Sequence, residues 1–115
     1  MSDKYVCIRD LREHADVPSN GILSQTLHND EKIKVILFGF ATGQGLSPHK
    51  APFPATLTFL KGEATLRLGA DEQDAAEGTF VYMTPYLEHG VEAKTDVVML
   101  LTMIKDPSPT PKRTA

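Results

Sequence analysis

The chain has 115 residues, of which 41% are apolar, and 12 basic residues stand against 15 acidic ones for a net charge of -3. This length and composition describe one globular domain, and an acidic balance without a basic cluster excludes an electrostatic nucleic-acid binder. The apolar runs are far too short to cross a bilayer as helices, and the opening MSDKYVCIRD lacks the apolar core of a signal peptide. Cys7 is alone, so no intrachain disulfide can form, and a reducing, cytoplasmic setting is expected, with no membrane partner.

Taken in order, residues 1–32 are mixed and polar. Lys4 to Ile8 alternates as a short strand would, Asp10 to His14 fits one helical turn, and Pro18-Ser19-Asn20-Gly21 is a turn signal. Ile22 to Leu27 reads as a second short strand, which ends in the polar turn His28-Asn29-Asp30-Glu31. His14 and His28 lie in polar company and read as solvated surface residues. This segment is expected to pack on the body of the domain or on a partner subunit.

Lys32 to Phe40 is a strong strand, apolar on both faces after Lys34, and Val97 to Ile104 behaves in the same way. Two dry faces require a second covering layer. Another sheet, in a closed two-layer sandwich, or a partner subunit meets that need, and a homodimer is expected. Between these strands, Ala41 to Ser47 is a glycine-containing loop without a phosphate-binding pattern. Pro48, Pro52 and Pro54 then remove backbone donors, which confines the stretch around His49 to an edge or bulged strand. Ala55 to Leu60 and Ala64 to Leu68 form a strand pair around Gly62-Glu63. Residues 69–78, GADEQDAAEG, read as a solvated acidic loop. Thr79 to Met83 and His89 to Ala93 are strands flanking the turn at Thr84 to Leu87. The tail over 106–115 has three prolines and little to bury, and is expected to be mobile. The fold class is therefore all-β, with the barrel over 33–105.

Two glycine-led stretches organise this pattern, each delivering one histidine. Gly43, five residues and His49 are followed at the appropriate distance by Gly62, and Gly78 is followed by His89. In these positions the chain resembles the cupins, whose first motif runs G-x5-H-x-H-x3-E-x6-G and whose second runs G-x5-P-x-G-x2-H-x3-N. The resemblance spans roughly residues 33 to 104 and implies an RmlC-like double-stranded β-helix, or jelly roll. It departs from the family at the ligands. Ala51 and Ala55 stand where the first motif has its second histidine and its glutamate; Thr84, Tyr86 and Ala93 replace the proline, glycine and asparagine of the second. Of the usual four metal ligands, the resemblance implies two, His49 and His89.

Strand parity suggests the company these histidines keep. If both point inward, Ala51, Ala55, Leu57, Phe59 and Val91 are neighbours, and Phe38, Phe40, Met99 and Met103 complete the walls. An apolar cavity with a few polar groups is the ordinary composition of a small-molecule site, although the same residues would also serve simply to fill a small barrel. Three readings remain open. The histidines form hydrogen bonds in a metal-free pocket; or a group outside the motifs, such as Glu88, Gln44, Tyr86, His14 or His28, completes a metal site; or both histidines are structural. The corresponding functions are a small-molecule-binding module, holding at most a weakly bound divalent metal (zinc, nickel or iron), and a metal-dependent oxygenase or isomerase. A metabolite-sensing cupin acting through a partner protein is a third. No residue is singled out as catalytic.

Overall fold

The computed structural model describes residues 4–105, so the expected mobile tail over 106–115 lies outside the described residues. Nine antiparallel strands form two facing sheets: β1 (Ile22–Asn29), β2 (Ile33–Phe40), β3 (Gly45–His49), β4 (Ala55–Lys61), β5 (Ala64–Leu68), β6 (Asp71–Ala75), β7 (Phe80–Met83), β8 (His89–Ala93) and β9 (Val97–Ile104). The larger sheet has the order β1-β2-β9-β4-β7 and the smaller β3-β8-β5-β6. Among the described residues the one helix, α1 (Leu11–His14), is a single turn capped by Asp10, whose side chain accepts from the Arg12 amide at 3.0 Å. The chain is all-β, as its alternating apolar pattern requires.

The period-two pattern places one set of side chains from each sheet between the layers. Phe40, Leu57, Phe59 and Met99 from the larger sheet meet Ala64, Leu66, Val91 and Ala93 from the smaller, and all are buried in one cluster. Burying apolar surface at about 25 cal/mol per Å² makes this cluster the main source of stability. The hairpin between β4 and β5 closes one end of the barrel. Ala55, Met83 and Met103, which are register partners on the larger sheet, therefore mark the opposite, open end, together with Leu68 and His89 on the smaller.

The outer face of the larger sheet is also apolar along β2 and β9, where Ile33, Val35 and Leu37 lie in register with Ile104, Thr102 and Leu100. The cover for part of it comes from the chain itself. The backbone of Asp16 passes directly over Gly39, where a Cβ would collide with the Asp16 carbonyl, and the His14 carbonyl accepts from the Gln25 side chain at 2.8 Å. The segment from residue 4 to 18 is thus a strap across the sheet. The strand expected over Lys4 to Ile8 is absent, because the strap lies on the face of the sheet, where no strand edge offers it ladder partners. Ile22–Asn29, the last part of the N-terminal segment, pairs with β2 as an edge of the larger sheet.

The acidic stretch also differs from expectation. Asp71–Ala75 is an edge strand paired with β5 from Leu68↔Asp71 to Ala64↔Ala75, and Ala75 is buried in the core. Gly69, at φ +63°, makes the tight reversal that lets the chain return at once. Exposed carboxylates along such an edge discourage pairing with another chain.

Gly39→Ala should lower stability by about 1–3 kcal/mol in urea denaturation, the usual cost of overpacking. Limited proteolysis should then cleave the 4–18 strap before the barrel. An unchanged midpoint with a protected strap would show that the strap does not depend on this close approach.

Candidate functional site

β3 and β8 meet at the open end of the barrel, and there His49 and His89 are direct register partners. The pairing is regular at Gly45↔Glu92 and Leu46↔Val91, then shifts before His49. The irregularity follows from Pro48, which has no amide hydrogen to give to the ladder. Gly90 makes the close pairing possible: a Cβ there would lie 2.9 Å from the Leu46 carbonyl and 3.0 Å from the Pro48 nitrogen. The two imidazoles consequently lie side by side, with ring centroids 4.4 Å apart and planes tilted by 56°.

Each ring is held in the same way. His89 Nδ1 donates to the Leu87 carbonyl at 2.8 Å, and His49 Nδ1 donates to the Ser47 carbonyl at 3.2 Å. A carbonyl oxygen can only accept, so each neutral ring carries its proton on Nδ1 and keeps the Nε2 lone pair. An imidazole fixed through Nδ1 by a backbone carbonyl is the usual arrangement for a ligating or hydrogen-bond-accepting histidine. His89 is half-buried and His49 exposed, so the pair sits at the mouth rather than in the core.

The residues expected to accompany them are distributed along the barrel interior. Phe40, Ala55, Leu57, Phe59, Val91 and Met99 are buried members of the core cluster, and Phe38 packs against it with its ring 5.8 Å from that of Phe40. Met103 and Ala51 are half-buried. Ala55 and Met103 pair with each other at the open end, across the barrel from His89. Deeper residues such as Phe59 form a packed floor.

The family's glutamate position, Ala55, is 7% exposed, and a carboxylate there would be buried unless a cation met it. Tyr86, at the motif's glycine position, adopts φ +65°. That left-handed conformation accounts for the glycine ordinarily found there; in this chain the Tyr86 amide donates to the Ala51 carbonyl at 2.7 Å and pins the turn. Among the described residues no group of three or more His, Cys, Asp or Glu converges as a metal site. Of the candidates considered as a further ligand, Gln44 bonds to Asn20 and His28 lies on the outer side of the larger sheet.

His28 was read from the sequence as a solvated surface residue. It is instead half-buried, 2.8 Å through Nε2 from Asp30 Oδ2, at the edge of a cleft of about 750 Å³ beneath the strap. The Asp30 carboxyl is held well below the usual carboxylate range by the Ile33 amide, then by the bond to His28 and by the Lys32 amide.

The two-sheet barrel matches solved structures over most of the chain. A cupin superfamily protein from Desulfitobacterium hafniense superposes with a TM-score of 0.79 at 22% identity, covering 84% of this chain and 88% of its own.

The chain has the fold of the small single-domain cupins.

An RmlC-like cupin from Desulfovibrio desulfuricans is similar at a TM-score of 0.78 and 24% identity, covering 88% of this chain and 98% of that one. A conserved protein of unknown function from Streptococcus pyogenes gives 0.81 at 24% identity over 92% and 93%. No protein-family model matches the sequence, and no curated protein matches it. At these identities the likeness describes the cupin fold and leaves the chemistry to this chain's own residues. No helix among the described residues is long and apolar enough to cross a membrane.

Proposed function

We propose that this cupin binds a small molecule at the open end of its barrel, with His49 and His89 as the polar contacts and the apolar interior as the floor. The observation that carries this reading is the shared geometry of the two rings. They are cross-strand partners 4.4 Å apart, each with Nδ1 committed to a backbone carbonyl and Nε2 left as an acceptor. Two acceptors side by side over aliphatic and aromatic carbon suit a guest with an apolar or aromatic body and one or two hydroxyl donors. A hydroxylated aromatic compound or a sugar-like molecule has that chemistry.

The same pair supplies two neutral nitrogen ligands to a divalent cation. Zinc or nickel suits imidazole better than manganese does, and iron is the third candidate. Catalytic sites generally offer three protein ligands, so two imidazoles hold a metal weakly and leave open positions on it. A bound cation would act as a Lewis acid toward a guest oxygen; His49 and His89 would hold and orient it. An oxygenase or isomerase would need a further ligand from outside the motifs. Glu88, adjacent to His89 and exposed, is the nearest such group in sequence.

The homodimer belongs to the same reading. The strap leaves β4 and β7 uncovered on the outer face, where Thr56 pairs with Tyr82 and Thr58 with Phe80, and both rings are largely exposed. A second copy laid on this face would cover them. Cytoplasmic placement accords with the single, exposed and unpaired Cys7.

Calorimetric titration of zinc tests the paired-histidine reading. Wild type should bind one zinc weakly near neutral pH and lose it in acid, because a ligating imidazole must be neutral. His49→Ala should abolish binding. Ala51→His, which adds a third imidazole without burying a charge, should tighten it by at least about tenfold. Wild-type binding that survives His49→Ala would reject the pair as the site. Light scattering should report twice the chain mass at micromolar concentration, and Tyr82→Lys should halve it; a wild-type monomer would reject the dimer.

A further inference from the structure

The cleft beneath the strap is a second candidate site, separate from the barrel mouth, and nothing in the cupin motifs accounts for it. Its roof comes from Val6, Ile8 and Leu11 of the strap, and its floor from Ile33, Val35 and Leu100 on the outer face of β2 and β9. Its volume of about 750 Å³ falls within the range of small-molecule sites. Three further features show a built site with an oriented end.

The first is a bulge. β1 pairs regularly with β2 up to Thr26↔Ile36 and then resumes at His28↔Val35, so Leu27 is an extra residue. Successive residues of a regular strand face opposite ways, and the bulge breaks that alternation. As a result both Leu27 and His28 line the cleft, one apolar and one polar at the same end.

The second is the fixing of His28. Asp30 Oδ1 accepts from the amides of Lys32 and Ile33 at 2.8 and 2.9 Å, and Oδ2 accepts from His28 Nε2 at 2.8 Å. The carboxylate is fully engaged, and it orients the imidazole. His28 Nδ1 has no partner among the described residues. With Nε2 committed to Asp30, Nδ1 is the ring nitrogen left for a guest.

The third is charge. Lys4 lines the cleft, and Lys105 donates from Nζ to Asn29 Oδ1 and to the Asp30 carbonyl at 2.8 Å each, beside the same end. Lys4 in the lining and Lys105, which bonds the Asp30 backbone just outside it, thus set two cations near the single Asp30 carboxylate at this end, a balance that favours an added anion.

We propose that this cleft binds a small amphiphile with a carboxylate head and an alkyl or aromatic body. The head lies between Lys4 and His28, the body along Val35 and Leu100, and the strap closes over it. This site is independent of the histidine pair at the barrel mouth.

Calorimetric titration of the full chain with decanoate at neutral pH tests the proposal. One decanoate per chain should bind at sub-millimolar concentration, and decanol, which lacks the charge, should bind about tenfold more weakly. Val6→Asp and Lys4→Glu change exposed strap residues, so both proteins should fold, and each should weaken decanoate about tenfold. His89→Ala should leave it unchanged. Failure of decanoate to bind wild type at millimolar concentration, or equal binding by Val6→Asp, would overturn the proposal. Loss of binding in His89→Ala would move the guest to the barrel and equally overturn it. If decanoate does not bind while Val6→Asp splits a dimer into monomers on light scattering, the occupant is a second copy of the chain and the amphiphile is rejected.

Discussion

The pairing of β3 with β8 is the constraint on which the functional end of this molecule depends. Without it, His49 would sit in a proline-rich loop with no fixed relation to His89. Pro48 interrupts the ladder, and Gly90 lets the two backbones come close enough for pairing to resume one step later. The outcome is two imidazoles with matched tautomers on one face of one sheet. Backbone geometry, and not side-chain packing, sets their separation, so the pair is preorganised before any guest arrives.

The outer face of the larger sheet shows how a short chain handles a strand with two apolar faces. Part of β2 and β9 is covered by the 4–18 strap, and the absence of a side chain at Gly39 lets Asp16 lie flat on the sheet. The cover is incomplete near β1, where a bulge turns Leu27 and His28 together into the remaining space. A single chain thus carries a histidine pair at one end of the barrel and a separate cleft under the strap. They differ in their polar groups: paired Nε2 acceptors at His49 and His89, and an imidazole held by Asp30 with lysines nearby at His28.

Much of this was legible in the sequence. The glycine and histidine spacings placed both motifs, and strand parity brought His49 and His89 to one face, because a period of two leaves few alternatives once strands are identified. The dry faces of β2 and β9 called for a cover from a second sheet or a partner subunit, whereas part of the outer cover is the irregular 4–18 strap. What escaped the sequence reading depended on tertiary partners. Asp71–Ala75 forms a strand because β5 offers it an edge, whereas its composition, taken alone, reads as loop. Lys4 to Ile8 alternates as a strand does but lies across a sheet face with no ladder to join. The role of His28 required a bulge, and one extra residue in a strand has no signature in a single sequence.

In the proposed site, two neighbouring rings offer their Nε2 atoms to one guest. Long-range proton–nitrogen correlation spectra of the histidine rings, recorded before and after one equivalent of zinc, test this most directly. Before zinc, the neutral forms of His49 and His89 should both carry the proton on Nδ1; with zinc, both Nε2 signals should shift together and reach saturation at the same point. An Nε2-protonated ring at the outset, or a shift confined to one of the two rings, would contradict the account.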